Sequence, residues 1–160
     1  AGLFFDDKLT IAHVGDSRLY RFREDQLGRL TVDHSLQEEL VARGMFSAEE
    51  VKRLGKSNVV TRALGVDAAV DVSLGEHDVR GGDLFLLCSD GLHDSLSEED
   101  ILANLRRFMP DLPRLTRALI QAANARGGKD NISVIVGHAL AAPEATPEPA
   151  WWRRVMRRST

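Results

Sequence analysis

The stretch LFLLCSDGLHD, residues 84–94, is an apolar run that ends on one aspartate, turns at a glycine and reaches a second aspartate. Its first part, 84–88, is apolar at every position, which predicts a strand covered on both faces. Asp90 follows closely, and an ionised carboxylate at the rim of an apolar layer must be solvated, paired or bound to a cation. The partner of Asp90 therefore decides what this part of the chain does.

Two more aspartates share this pattern, in which an apolar run meets an aspartate and a glycine. Asp16 follows IAHVG, and Asp130 precedes the run NISVIVG. If these strand ends lie at one edge of a sheet, we expect the carboxylates of Asp16, Asp90 and Asp130 to converge, and such groups share protons or hold a hard cation. Without a cysteine pair or a His-x-His pattern, Mg²⁺ or Mn²⁺ is favoured over zinc. Each aspartate taken alone is more typical of a simple turn or cap, and only the three together favour a cation site.

The composition is that of one globular domain. Of the 160 residues, 43% are hydrophobic and 28% are charged, and the net charge of −3 argues against a protein that neutralises many nucleic-acid phosphates. The single cysteine, Cys88, lies in the predicted strand, so we interpret it as a small core residue rather than a nucleophile. A lone cysteine also favours a reducing compartment, here the cytoplasm. No apolar stretch approaches the roughly 20 residues of a membrane helix.

Short β-favouring runs alternate with short connections in the first part of the chain. Residues 9–14, 19–22 and 29–32 are expected to form neighbouring antiparallel strands, because connections this short cannot return a parallel strand. Residues 132–138, like 84–88, are apolar at nearly every position and should be covered on both faces. Helical patterns occur at 35–44, 47–55 and 97–108 and after Pro113. The fold class expected is α+β, with antiparallel sheets and helices outside.

The composition changes after Leu140. Residues 141–150 are rich in proline and alanine and are interpreted as a linker, and residues 151–160 form a tail with two tryptophans and four arginines. We expect this tail to be a solvated end. A weak contact with an anionic membrane is the less favoured alternative. The chain starts without a methionine and runs straight into strand pattern, which indicates a piece of a longer protein.

Five ordered motifs carry a more specific signal. They are VGDSR (14–18), DHSL (33–36), NVVTRALG (58–65), GDLFLLCSDGL (82–92) and GGKDNISVIV (127–136). In order and spacing, this set resembles the metal-dependent protein Ser/Thr phosphatases of type 2C, most closely the compact bacterial members. The resemblance implies a four-layer α-β-β-α sandwich with a metal centre at one edge of the sheets.

The resemblance also assigns roles to individual residues. Asp90 and Asp130 match core ligands of two Mn²⁺ or Mg²⁺ ions, and Asp16 matches a residue at an additional, weaker metal position. Within this scheme Asn131, beside Asp130, orients these ligands by hydrogen bonding, and a simple turn residue is the equally weighted alternative. The family reaction uses a metal-activated water against phospho-Ser or phospho-Thr, without a covalent enzyme intermediate. Phosphorylated proteins are then the substrates and a Ser/Thr kinase acts in opposition, while nucleic acid and membrane contact are not expected.

The chain departs from the family pattern in one respect. A Gly-rich aspartate motif, an Asn-Glu-Asp-like stretch, a phosphate-binding arginine and a general-acid histidine precede the matched region in complete members, and none occurs here. Residues 1–140 are therefore expected to be a partial catalytic domain that is inactive alone. A non-catalytic phosphatase-like binding module is the alternative. A phospho-acceptor receiver domain is excluded because it requires a parallel sheet.

Two histidines and one segment complete these expectations. His34 and His93 are predicted to lie on the surface without a role in catalysis, because nothing in their spacing supports one. Residues 34–64 resemble the flap beside the family's active site, and we call this segment the flap.

Overall fold

The fold consists of two antiparallel sheets with helices, in a computed structural model that describes residues 1–54, 59–66 and 68–140. Sheet A has the order β1 (Gly2–Phe5), β2 (Lys8–His13) and β5 (Ser73–Asp78), and sheet B has the order β4 (Gln26–Arg29), β3 (Arg18–Arg23), β6 (Leu84–Cys88) and β7 (Val134–His138). Every strand pair is antiparallel, which confirms the predicted fold class.

With one exception, the helices of the described residues form where the sequence pattern predicts them. They are α1 (Leu36–Ala42), α2 (Ala48–Leu54), α3 (Asp90–His93), α4 (Glu98–Phe108) and α5 (Leu112–Ala125). Helix α4 begins with a reciprocal cap, in which the Ser97 hydroxyl accepts from the Asp100 amide and the Asp100 carboxylate accepts from the Ser97 amide. Ser47 and Glu50 form the same reciprocal cap at the start of α2. The short helix α3 was not predicted.

The largest core lies between sheet B and the helices α3, α4 and α5. Leu84 and Leu86 on β6 are fully buried there with Leu105, Leu115 and Leu119. The opposite face of β6 packs against sheet A, in a smaller cluster of Leu9, Ile11, Leu19 and Phe85. Strand β6 is therefore covered on both faces, as its unbroken apolar pattern predicts.

The two sheets differ in their outer layers. Among the described residues, helices pack against sheet B, and no helix makes an extensive contact with sheet A. The outer face of sheet A instead exposes Leu3, Phe5 and Leu74. The described part of the chain thus has the layers β-β-α of the four-layer sandwich.

Two strand predictions are wrong in detail. Strands β2 and β3 are not neighbours, because the segment at 14–17 carries the chain from sheet A to sheet B, with Gly15 at φ +99°. The fourth strand is Gln26–Arg29 rather than 29–32. Glu24 and Asp25 both have positive φ and form a two-residue turn, which sets the pairing of Arg23 with Gln26.

Strand β7 is covered on one face only, contrary to the prediction for 132–138. Val134 and Val136 pack on the helix side of sheet B, whereas Ile135 is 65% exposed. The reason is that β7 is an edge strand of sheet B, where no described residue of sheet A covers Ile135.

No helix in the described ranges is both long and apolar enough to span a membrane. The predicted linker (141–150) and tail (151–160) lie outside the described residues.

Candidate metal site

The three predicted aspartates flank the same end of sheet B. Arg18 pairs with Cys88, and Cys88 pairs with Val134, so the start of β3, the end of β6 and the start of β7 are level with one another. Asp16 precedes β3, Asp90 follows β6 and Asp130 precedes β7. The sheet register therefore brings the three backbone segments to one edge, although they are far apart in sequence.

Asp90 is held at the transition from strand to helix. Ser89 has extended backbone, and Asp90 is the first residue of α3. The Asp90 Oδ1 accepts a hydrogen bond from the Gly91 amide at 2.8 Å, which orients the half-buried carboxylate. Because the run LFLLC is fixed in the centre of sheet B, this carboxylate has a rigid support.

The Asp130 loop is tied to the same point by the Ser89 hydroxyl. Ser89 Oγ donates to the Asn131 carbonyl at 3.0 Å and accepts from the Ser133 amide at 3.0 Å. The Asn131 amide in turn donates to Asp130 Oδ1 at 2.6 Å. These contacts of Asn131 use its main chain, so the predicted orienting role of its side chain stays a prediction.

Gly91 is required where these two segments meet. A Cβ atom added at Gly91 would lie 2.4 Å from the Asn131 carbonyl oxygen, far inside any real contact. The glycine of the SDGL motif thus lets the Asp130 loop approach the start of α3 closely.

The position of Asp16 depends on His93, a residue that sequence reasoning misplaced. His93 is 8% exposed rather than on the surface, and its Nε2 donates to the Asp16 carbonyl at 3.0 Å. Burial lowers the pKa of His93, and the nearby Arg18 adds to this effect. His93 therefore connects α3, which begins with Asp90, to the loop that carries Asp16. No local pattern could reveal this contact, because its partner lies 77 residues away.

His34 is also buried, contrary to the prediction. It is 6% exposed, its Nδ1 accepts from the Gly15 amide at 3.2 Å, and its Nε2 lies 2.8 Å from Ser73 Oγ. Burial lowers the pKa of His34, with further contributions from Arg62 and His13. The DHSL motif is the only sequence signal that could have pointed to this residue.

An ion pair beneath the site fixes the start of β3. Arg18 donates to both carboxylate oxygens of Asp33, with its Nη2 2.7 Å from Oδ2, and its Nη1 lies 3.2 Å from the Tyr20 hydroxyl. Asp33 is 7% exposed, so the bidentate pairing compensates for the burial of its charge.

The described residues supply some of the donors that a metal centre needs. Asp90 and Asp130 supply hard oxygen donors of the kind that Mg²⁺ and Mn²⁺ prefer. Across 1–54, 59–66 and 68–140, however, no group of three or more His, Cys, Asp or Glu side chains is close enough to hold an ion. These residues fit a metal site as part of its donor set, and the convergence of all three aspartate side chains stays a prediction.

Cys88 is not available as a nucleophile. It is 3% exposed within the main core, and burial raises the pKa of its thiol to about 12. This confirms its interpretation as a small core residue.

A cavity of about 430 Å³ lies between the sheets beside this edge. It is lined by Ile11 and His13 from sheet A, by Leu19, Leu87 and Ile135 from sheet B, and by Ser89 from the site. His13 Nε2 is buried and has no hydrogen-bond partner in the part of the chain that is described. The cavity therefore has mostly apolar walls and one buried ring nitrogen without a hydrogen bond to a described residue. Many binding clefts combine apolar walls with a few polar groups in this way.

Comparison with known proteins gives a consistent result. Residues 2–132 match the model of the family Protein phosphatase 2C. The chain is 37% identical over 138 residues to the serine/threonine protein phosphatase PstP of Mycobacterium tuberculosis, covering 86% of this chain and 26% of that protein. It is 38% identical over 139 residues to the serine/threonine phosphatase stp of Listeria welshimeri, covering 85% of this chain and 54% of that protein.

Solved structures agree with these relatives. The chain superimposes on the crystal structure of the M. tuberculosis phosphatase with a TM-score of 0.79 at 35% identity, covering 88% of this chain and 58% of that one. A PstP catalytic domain in complex with two manganese ions gives a TM-score of 0.75 at 35% identity, with 87% of this chain and 56% of that one covered. The chain thus spans little more than half of these catalytic structures.

Proposed function

We propose that this chain, which belongs to the protein phosphatase 2C family, forms part of the catalytic domain of a metal-dependent protein Ser/Thr phosphatase. The observation that supports this most is the common edge of sheet B, where the segments of Asp16, Asp90 and Asp130 meet. Relatives of at least 35% identity that are named Ser/Thr phosphatases support the same activity.

In this proposal Asp90 and Asp130 supply part of the ligand set of the two core ions, and Asp16 supplies a ligand of a further, weaker one. Mn²⁺ or Mg²⁺ bound there would activate water and offset negative charge on the phosphoryl group of phospho-Ser or phospho-Thr. The contribution of this chain is to fix the carboxylates: Ser89 ties the Asp130 loop to β6, and the Gly91 amide orients Asp90. Further ligands, the phosphate-binding arginine and the general acid come from outside these 160 residues.

The remaining parts of the proposal concern partners and location. Phosphorylated proteins are the substrates, and a Ser/Thr kinase adds the phosphate that this protein removes. We place the protein in the cytoplasm, where the single thiol of Cys88 would stay reduced. Nucleic acid is not a partner in this proposal, because the chain carries a net charge of −3.

The test uses the full-length protein that contains this chain and a phosphothreonine peptide, with phosphate release measured at increasing Mn²⁺. Asp90→Asn should lower activity and Mn²⁺ affinity by about 100-fold or more, because a core ligand and its charge are lost. Asp16→Asn should leave the core ions largely bound. Asp7→Asn, in the exposed turn between β1 and β2, is the matched control and should behave like wild type. Calorimetric titration with undiminished Mn²⁺ affinity in Asp90→Asn would contradict the assignment.

A non-catalytic phosphopeptide-binding module is the second candidate. The described residues contain no group of three metal-ligating side chains, so this candidate applies where the full-length protein also lacks the further ligands. Residues 1–160 alone are expected to give no turnover, since two carboxylates cannot hold two ions at close range. Turnover that appears when the remaining catalytic segment is co-expressed supports the enzyme, whereas phosphopeptide binding without turnover in the full-length protein supports the binding module.

A further inference from the structure

The two ends of the flap meet at residues 34–36 and 59–61, which we call the base of the flap. Three consecutive residues, Asp33, His34 and Ser35, each join this base to a different element. Asp33 pairs with Arg18 at the start of β3. His34 contacts the Asp16 loop through Gly15, and it contacts β5 as well. The Ser35 side chain accepts from the Glu38 amide and caps α1, the first helix of the flap. Elements from both sheets and the flap therefore meet within one short segment.

His34 holds the Asp16 loop through two hydrogen bonds to the residue before Asp16. Its main-chain amide donates to the Gly15 carbonyl at 2.8 Å, and its Nδ1 accepts from the Gly15 amide at 3.2 Å. Gly15 has φ +99°, a backbone conformation that residues other than glycine rarely adopt, and the loop takes a sharp turn at this residue. The direction in which the chain enters Asp16 thus depends on where His34 lies.

The same residue holds the flap where it returns to the body of the protein. The His34 carbonyl accepts from the Thr61 amide at 2.8 Å, and Ser35 and Val60 form an isolated β-bridge. The Leu36 amide donates to the Val59 carbonyl at 3.0 Å. A displacement of the flap base at 59–61 would therefore be transmitted to His34 and from there to Gly15.

The ring contacts define the tautomer that this arrangement needs. Since Nδ1 accepts from an amide, the ring proton of the neutral form is on Nε2, which then donates to Ser73 Oγ at 2.8 Å. The contact with Ser73, the first residue of β5, fixes the plane of the ring. Hydrogen bonds at both ring nitrogens therefore fix the position of the His34 side chain.

We infer that His34 is a positioning residue that couples the base of the flap to the loop carrying Asp16. The inference rests on the proposed function, because it treats Asp16 as a metal ligand of the phosphatase site. Loosening the flap base would reduce metal binding at Asp16, and an ion bound at Asp16 would tighten the flap base.

Four variants of the full-length protein separate the contacts of His34. His34→Ala removes both ring contacts. His34→Asn keeps an acceptor close to the position of Nδ1, so it should restore the contact with Gly15 only. His34→Gln places its amide near the position of Nε2 and should restore the contact with Ser73 only. Ser73→Ala is the matched control, because it removes the Ser73 contact and leaves His34 unchanged.

Hydrogen–deuterium exchange provides a measurement that needs no activity. In His34→Ala and His34→Gln we expect exchange in the segments 13–18 and 59–64 to rise together by about fivefold, the effect of one lost hydrogen bond. His34→Asn and Ser73→Ala should remain within about twofold of wild type. A rise confined to one of the two segments, or an Asn variant as fast as the Ala variant, would overturn the coupling.

Enzyme kinetics then test the link to Asp16. His34→Ala should raise the Mn²⁺ concentration for half-maximal phosphate release by about fivefold, while kcat at saturating Mn²⁺ changes little. His34→Asn should recover the wild-type value, which a general loss of stability would not do. An equal loss of kcat in both variants would contradict a positioning role. Absence of hydrolysis in the wild-type protein would refute the proposed function instead, and the exchange experiment would still decide whether His34 couples the two segments.

Discussion

Sheet B and sheet A have similar strands but different coverings. On sheet B, Leu84 and Leu86 are fully buried beneath the helices that cover this sheet. On sheet A, Leu74 is 77% exposed on the outer face, although it lies in an equally regular strand. The difference teaches that a leucine in a strand becomes a core residue only where a second layer covers it. The candidate site lies at the edge of the better covered sheet, which holds its backbone segments rigidly.

The largest stability effect should separate the two coverings directly. Leu119→Ala, at a fully buried position against sheet B, should lower the free energy of unfolding by about 2–5 kcal/mol because it leaves a cavity. Leu74→Ala, the same change on sheet A, should cost less than about 0.5 kcal/mol when residues 1–160 are measured alone. Urea unfolding of both variants measures the difference. An equal loss of unfolding free energy in the two variants would mean that the outer face of sheet A is covered in solution.

A buried ion pair near the sheet junction should give the next effect. Arg23 Nη2 lies 2.5 Å from Asp83 Oδ2, Asp83 is 1% exposed, and the same guanidinium donates to the Asp78 carbonyl at the end of β5. Asp83→Asn should destabilise the protein by about 2–3 kcal/mol, because it leaves the arginine without its counter-charge. The exposed pair of Lys8 and Asp78 is the control, and Lys8→Met should change little. Similar losses of stability in Asp83→Asn and Lys8→Met would contradict the expected difference between buried and exposed ion pairs.

The histidines between the sheets should make stability depend on pH. Burial lowers the pKa of His13 and His34, so the unfolded chain binds protons at a higher pH than the folded one. Stability is therefore greatest above the unfolded pKa near 6.5 and falls as pH drops below it, by at most about 1.4 kcal/mol per pH unit for each histidine. Urea unfolding from pH 7.5 to pH 5.5 measures this slope. His34→Asn should reduce it, and an unchanged slope would assign the effect to other groups.

The smallest effect is expected outside the two sheets. Deleting residues 150–160, which carry Trp151 and Trp152 beside four arginines, should leave co-sedimentation with anionic vesicles unchanged, because one short segment is a weak anchor. A clear loss of vesicle binding on deletion would instead identify the tail as a membrane contact.

The sequence predictions were correct where the residues that determine a structural element lie close together in the sequence. The helix starts at 47 and 97 and the strand at 84–88 were predicted, because their signals lie within a few residues. The partner of β2 was not predicted correctly, since a short connection can join neighbouring strands or cross between sheets. The exposure of Ile135 was missed for a related reason, because an apolar run does not reveal that its strand lies at an edge.

The same contrast between local signals and long-range contacts applies to the candidate site. The sequence by itself determined the acidic residue types at the strand ends, the glycine at position 91 and, through its ordered motifs, the family. Only the tertiary structure decided that His93 holds the Asp16 loop and that His34 contacts both Gly15 and Ser73. Those contacts join residues separated by 77, 19 and 39 positions, and they form only when the register of two sheets is fixed. A buried histidine and a solvated one are identical in sequence, because burial is a property of the layers that pack around the side chain.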